Sequence, residues 1–157
     1  MDYSKKTNFN IPELEKKASI LVVRSPYYKE IADNLLNGAL QVFEKHNVQI
    51  ELEETPGALE IPTVIALVQN NFDGFLALGC VIRGETTHYD TVCNVSAHAL
   101  AAHGINGICV GNGILNVESY SQALERSDPN KQNKGGSAAE ATLSLIHFKQ
   151  KRQQVKK

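Results

Sequence analysis

Short apolar runs alternate with amphipathic segments along this chain. Residues 18–23 and 75–82 are almost entirely apolar, and residues 48–52 alternate between apolar and polar. The apolar runs predict buried strands, and the alternation predicts a strand nearer the edge of a sheet. A fourth strand is predicted over residues 105–110, followed by a glycine-flanked turn.

Segments with helical spacing follow these runs. Strands that alternate with helices favour right-handed βαβ units and a parallel sheet covered on both faces. We therefore expect an α/β protein with a three-layer α/β/α, flavodoxin-like fold and a parallel sheet of about four strands. The predicted helices are 31–43, 60–68 with Pro62 in its first turn, 87–104 closed by Gly104, 116–126 capped by Asn116, and 135–150.

Composition indicates a cytoplasmic globular protein. The 157 residues suit one domain, with residues 1–17 as an arm or extra edge strand and 149–157 as a basic tail. A net charge of -1 makes nucleic acid an unexpected partner. Residues 1–10 have no signal-peptide core, and no apolar run approaches the ~20 residues of a membrane span. Three cysteines without CxxC spacing suggest a reducing compartment.

Four loops follow the predicted strands: 24–28, 55–60, 83–88 and 111–116. Because parallel strands end at the same edge of a sheet, we expect these loops to surround one crevice. Loop 83–88 is the most informative, since it leads from a buried strand into a helix that begins near His88. Backbone N–H groups at such a helix start favour anions. The pattern predicts an active-site loop.

Several familiar sites are excluded or disfavoured. The chain has neither a P-loop nor a GxGxxG motif. Its first strand ends in residues 23–26 without the acidic side chains of a response-regulator receiver. The same segment lacks the Ser/Thr-rich phosphate loop of a flavodoxin-type electron carrier, which remains a third hypothesis.

Three motifs resemble the lumazine synthase family of riboflavin biosynthesis: residues 56–62 (PGALEIP), residues 78–90 (LGCVIRGETTHYD), and residues 122–126 (QALER) with 133–135 (NKG). The resemblance implies condensation of 5-amino-6-(D-ribitylamino)uracil with a four-carbon hydroxy-oxobutyl phosphate. Phosphate and water are released, and no metal or redox cofactor is used. The implied partners are these two small molecules and further copies of the chain.

The resemblance also implies residue roles. His88 matches the proton-transfer histidine. Glu85 (through its backbone), Thr86 and Arg126 match the phosphate contacts. The remaining matches, which hold the pyrimidine and its ribityl chain, are Tyr27, Ala58, Leu59, Glu60, Cys80, Val81, Ile82, Asn112 and Lys134. The family further implies a pentamer with helix 87–103 around its axis. Asn112, Arg126 and Lys134 would then reach the site from a neighbouring subunit.

Other interpretations of these residues stay open. Thr86 is also a suitable helix cap, Arg126 suits a helix C-terminus, and Cys80 suits a packing position. Asn112 replaces an aromatic residue found in many family members, and it cannot stack on a ring. Residues 128–132 differ from the glycine-containing loop of capsid-forming members. A non-catalytic homologue that binds lumazine or flavin, or forms a shell, is therefore the second hypothesis.

Overall fold

The computed structural model describes residues 9–154, and four parallel strands form its sheet. The strands lie in the order β2-β1-β3-β4. The chain moves outward from β1 to β2 and then crosses to the other side of β1. The carboxyl ends of β1 and β3 therefore flank a topological switch point, the usual place for a ligand in open α/β sheets. The strand bounds are Ala18–Arg24 (β1), Val48–Glu54 (β2), Gly74–Ile82 (β3) and Val110–Val117 (β4).

Helices cover both faces of the sheet, which confirms the predicted three-layer, flavodoxin-like architecture. One face carries the first, fourth and fifth helices, and the other carries the second and third. A short 3-10 turn, Ala58–Glu60, precedes the second helix. The helix bounds are Lys29–Phe43 (α1), Ile61–Val68 (α2), His88–Ile105 (α3), Tyr120–Ser127 (α4) and Lys134–Gln154 (α5).

Side chains that alternate along the strands divide the core into two clusters. In β1, Ile20 and Val22 pack toward α1 and α5, whereas Leu21 and Val23 pack toward α2. All four are almost completely buried. This two-sided burial explains why β1 and β3 read as continuous apolar runs rather than as alternating ones.

The predicted fourth strand was misplaced. Residues 105–110 do not form it; β4 begins at Val110 and contains Gly111, Asn112 and Gly113, which were predicted to form a turn. A Cβ atom at Gly111 would overlap the Thr142 hydroxyl and the Ala138 carbonyl of α5. The glycines therefore allow a helix to lie close over the strand, and they do not make a loop.

Two helix boundaries also differ from the prediction. α3 continues through Gly104, and its end is marked by Gly107, whose φ of 83° suits glycine. The Gly107 N–H donates to the Gly104 carbonyl at 3.0 Å. α4 is capped by Ser119 rather than by Asn116, because Asn116 still belongs to β4.

The terminal segments are described only in part. Residues 9–17 contain no regular element, and Lys16 exchanges two backbone hydrogen bonds with the side chain of Gln150 (3.3 and 3.1 Å). Residues 1–8 of the predicted arm lie outside the described residues. Residues 149–154 of the predicted tail continue α5, and 155–157 lie outside. None of the described helices combines the length and the apolar character that a membrane span requires.

Candidate active site

A cleft of about 400 Å³ opens at the switch point between β1 and β3. Its walls come from the loop after β1, the loop after β2, the end of β3 and the first turns of α3. Eight of the predicted site residues line it: Tyr27, Ala58, Leu59, Glu60, Cys80, Val81, Ile82 and His88. The cleft thus brings together three of the four loops that the sequence placed at one edge.

Buried hydroxyl groups fix the two loops on the β1 and β2 side. The Ser25 N–H donates to the Leu78 carbonyl at 2.9 Å, and its hydroxyl donates to the Pro56 carbonyl at 3.3 Å. The Thr55 hydroxyl donates to the Gly57 carbonyl at 2.9 Å. Both side chains are buried. These bonds join the loops to β3 and to each other. The cleft wall is therefore fixed by hydrogen bonds within a single copy of the chain.

Tyr27 presents a ring at the mouth of the cleft. It is 73% exposed, and it makes a T-shaped contact with Tyr28, with ring centroids 5.0 Å apart and planes at 69°. Tyr28 makes a second edge contact with Tyr120 at 6.3 Å. An aromatic face supported in this way can lie against a flat heterocycle.

The cleft floor is formed by the last residues of β3. Burial, with a smaller contribution from Cys93, raises the pKa of Cys80 to about 12. The thiol is therefore protonated near neutral pH and is unsuited to nucleophilic attack. This favours the packing role that was left open for Cys80.

His88 is the first residue of α3 and follows an exposed turn, residues 84–87. Its N–H donates to the Thr86 hydroxyl at 3.3 Å. Across residues 9–154, the backbone N–H groups of Glu85, Thr86 and Thr87 donate to no protein atom. Thr87 occupies the N-cap position without a side-chain cap bond. The turn therefore offers several free donors at a helix start, an arrangement that suits an anion.

Five predicted residues do not line the cleft: Glu85 and Thr86 lie in the adjoining turn, and three others lie on different elements. Asn112 is exposed in β4, opposite Ala77, and its side-chain oxygen accepts from the Ile114 N–H at 3.0 Å. Arg126 is half-buried in α4 and donates to the Gln122 carbonyl at 3.2 Å. Lys134 is exposed at the first residue of α5. Within one copy of the chain, none of the three joins the residues around His88.

The motif that contains Lys134 has a visible structural role. Asn133 has a φ of 46°, and its side-chain oxygen accepts the Gly136 N–H at 3.1 Å, which caps α5. A Cβ atom at Gly135 would overlap the backbone of Leu35, so glycine allows α5 to cross α1 closely. The NKG pattern is thus explained in part by helix packing.

Sequence reasoning missed some lining residues. Ser25, Tyr28 and Tyr89 also face the cleft. Ser25 directly follows β1, so the rule that ligands bind at the carboxyl ends of strands was sufficient to include it. The sequence alone does not identify Tyr28, because its role depends on the contact with Tyr27 that the structure shows.

A larger groove of about 720 Å³ lies between α1 and the connection from α4 to α5. Its lining is polar and includes Glu30, Asn37, Asp128 and Lys131, but none of the predicted site residues. The first turn of α1 contributes Glu30 to this groove, but the lining contains no histidine and no aromatic ring. We place the candidate site in the smaller cleft for that reason. Among residues 9–154, no three His, Cys, Asp or Glu side chains are grouped closely enough to hold a metal ion.

Comparisons with known proteins agree with the family suggested by the motifs. The profile of the family described as 6,7-dimethyl-8-ribityllumazine synthase matches residues 17–150. A 6,7-dimethyl-8-ribityllumazine synthase from Jannaschia sp. (strain CCS1) is 47% identical over 88% of this chain and 79% of its own length. The proteins of that name from Bartonella tribocorum and Zymomonas mobilis are 44% and 43% identical. They cover 88% and 85% of this chain, and 95% and 98% of their own lengths.

Proposed function

We propose that this chain, which belongs to the 6,7-dimethyl-8-ribityllumazine synthase family of riboflavin biosynthesis and is a transferase, joins two substrates. One is 5-amino-6-(D-ribitylamino)uracil, and the other is (2S)-2-hydroxy-3-oxobutyl phosphate. The products are 6,7-dimethyl-8-ribityllumazine, phosphate and water. One observation supports this reaction above all: His88 lies between the walled cleft and the turn of free N–H donors.

The cleft is suited to the pyrimidine substrate. The Tyr27 ring would lie against the heterocycle, while the end of β3 forms the floor beneath it. Ala58, Leu59 and Glu60 form a 3-10 turn that would hold the ribityl chain. The Glu60 carboxylate lies over Gly57, where even a Cβ atom would come within 3.0 Å of it. An acceptor held there can receive hydrogen bonds from sugar hydroxyls.

The exposed turn is suited to the phosphate of the second substrate. The Glu85 and Thr86 backbone N–H groups and the Thr86 hydroxyl would bind its oxygens at the positive end of α3. A guanidinium opposite them would complete the site with charge-assisted hydrogen bonds. Arg126 is the residue that the family resemblance assigns to this role.

His88 would transfer protons between the bound reactants. Imine formation releases water from the attacking amine and the ketone, and phosphate loss and ring closure also move protons. An imidazole changes its protonation state near neutral pH, so it can both accept a proton from one group and donate a proton to another. Much of the acceleration would come from holding two reactants side by side.

A second copy of the chain would supply Asn112, Arg126 and Lys134, and we propose a homopentamer with α3 around its axis. One stripe of α3 is exposed and largely small or apolar, with Val95 at 51% and Ile105 at 87% exposure. Such a stripe suits helix packing between copies. The three unpaired cysteines suit a reducing cytoplasm.

Shared sites can be tested by mixing subunits. His88→Ala and Arg126→Ala subunits should each be impaired when assayed at a low concentration of the phosphate substrate. They should regain turnover when unfolded together and refolded, because mixed interfaces contain one intact set. Each variant refolded alone is the control. Absence of any recovery, with mixed assemblies verified by mass spectrometry, would contradict the shared site.

The second candidate is a homologue that binds lumazine or flavin, or assembles, without turnover. The side chain of Asn112, which replaces an aromatic residue of many family members, is directed to its own strand through the Ile114 N–H. A steady-state assay with both substrates separates the candidates. Tight binding of a product analogue without turnover would favour the non-catalytic protein.

A further inference from the structure

Arg83 lies next to the proposed phosphate turn, yet no role is assigned to it. It directly follows β3, and its N–H donates to the Val117 carbonyl at 3.0 Å, which extends the pairing of β3 with β4. Its backbone is therefore fixed to the sheet at the point where residues 84–87 begin.

The guanidinium of Arg83 connects two other elements. Its Nε donates to the Glu118 carboxylate, just beyond β4, at 2.8 Å. Its Nη1 donates to the Asp90 carboxylate, in the first turn of α3, at 3.3 Å. The guanidinium carbon also lies 4.1 Å from the centre of the Tyr89 ring. One planar side chain thus contacts the end of β4 and the start of α3.

The turn between Arg83 and His88 has little else to hold it. At its far end, the His88 N–H donates to the Thr86 hydroxyl, and the Thr87 carbonyl accepts from the first turn of α3 at 3.1 and 3.4 Å. Within the described chain, the backbone groups of residues 84–86 make no hydrogen bond to the protein. A Cβ atom at Gly84 would have no neighbour within 4 Å. The bond from Arg83 to Asp90 ties residues 83 and 90 together and so fixes both ends of the turn.

We propose that Arg83 is a positioning residue that presets the N–H groups of residues 84–87 for a phosphate oxyanion. The identity of the phosphate substrate rests on the proposed function, whereas the contacts of Arg83 are those of the structure. The guanidinium already serves two carboxylates, so it acts on the phosphate through the turn rather than by direct contact. Its planar fork matters, because Nε and Nη1 reach the two carboxylates from separate positions while the flat face lies on Tyr89. A lysine ammonium is a compact group without that fork or face.

Arg24 provides a matched control. It also ends a strand, and it also bridges two carboxylates: Asp33 at 2.9 Å and Glu54 at 2.8 Å. Its partners lie in α1 and at the end of β2, and none of the three residues lines the cleft or belongs to the phosphate turn. Arg24→Lys therefore disturbs an equivalent bridge and leaves residues 84–87 unchanged.

The test is calorimetric titration of the assembled protein with inorganic phosphate, with the melting temperature measured in parallel. Arg83→Lys and Arg83→Gln should each weaken phosphate binding by about tenfold or more, since small displacements of binding groups are costly. Arg24→Lys should stay within about twofold of the parent, a difference that corresponds to less than one hydrogen bond. In turnover, both Arg83 variants should raise KM for the phosphate substrate and leave KM for the pyrimidine unchanged.

Three results would overturn the inference: normal phosphate binding by Arg83→Lys, equal losses in all three arginine variants, or a parent protein that does not bind phosphate. A further outcome is a parent that binds phosphate, with the variants ranked as predicted, and still forms no lumazine. In that case the proposed reaction fails and the positioning role stands.

Discussion

The predicted site residues form two sets that are placed by different means. The first set surrounds His88, and the second consists of Asn112, Arg126 and Lys134. The first set is gathered by strand ends and by bonds such as that from Ser25 to Pro56. The second set lies on β4, α4 and α5, where packing against the sheet and α1 decides each position. One copy of the chain therefore builds a walled cleft, and in the proposed homopentamer a neighbour would supply the second set. The strand ends thus gather the pyrimidine half of the proposed two-substrate site within a single copy.

Removal of the imidazole should give the largest effect on the first set. His88→Ala should lower kcat on the order of 10²-fold, the loss typical of a general acid or base, with KM for the pyrimidine nearly unchanged. Stopped-flow absorbance of lumazine formation measures both. His46→Ala, in the connection after α1, should behave like the parent. Loss of pyrimidine binding in His88→Ala would make His88 a structural group.

The matching test of the second set is Arg126→Ala. Loss of a charged hydrogen-bond donor should raise KM for the phosphate substrate by about 10- to 100-fold, equivalent to roughly 1.5–3 kcal/mol. Initial rates at varied phosphate substrate measure this change. Arg152→Ala, which removes an exposed arginine stacked on Phe148 in α5, is the control. An unchanged KM in Arg126→Ala would remove Arg126 from the phosphate site.

Stability tests the packing that places Asn112. Gly111→Ala should reduce the free energy of unfolding by roughly 1–3 kcal/mol, because its Cβ would press on the α5 backbone at Ala138. Gly104→Ala has open space at the Cβ position within α3 and should be neutral or stabilising by up to about 1 kcal/mol. Urea unfolding compares the two. Equal stability of the parent and Gly111→Ala would contradict the close approach of α5 to β4.

The smallest expected effect concerns the ion pairs beside the β1 loop. Hydrogen bonds from Lys29 and Arg24 lower the pKa of Asp33 below its usual value. Because the folded pKa is depressed, the stabilisation is complete above the ordinary carboxyl pKa and is lost as pH falls through the folded value. Asp33→Asn should thus lower stability near pH 7 by less than about 1 kcal/mol, and the difference from the parent should shrink as the pH falls below the ordinary carboxyl pKa. Thermal unfolding across that range measures it, and a constant difference at all pH values would contradict the linkage.

Sequence reasoning succeeded where apolar spacing alone decides the structure. The run that contains Leu76 and Leu78 predicted β3, and helical spacing from Ile31 to Phe43 predicted α1. Both depend on burial, which a pattern of residue types records directly. The loop at residues 83–88 was found because a buried strand must end at the sheet edge.

The errors come from glycines whose role depends on distant contacts. Gly111 and Gly113 resemble a turn in sequence, but Gly111 allows the close approach of α5, and Gly113 lies against Leu78 of β3. Gly104 resembles a helix end, but only Gly107 has the left-handed conformation. The bridge from Arg83 to Glu118 could not be predicted from the sequence either, because only the pairing of β3 with β4 brings these two residues together.

The most direct test of the account is a steady-state assay of the assembled protein with both substrates, followed by the absorbance of the lumazine product. We predict turnover that requires both substrates, saturates with each, and releases one phosphate for each lumazine formed. Binding of a product analogue without any catalysed formation of lumazine would contradict the proposed reaction.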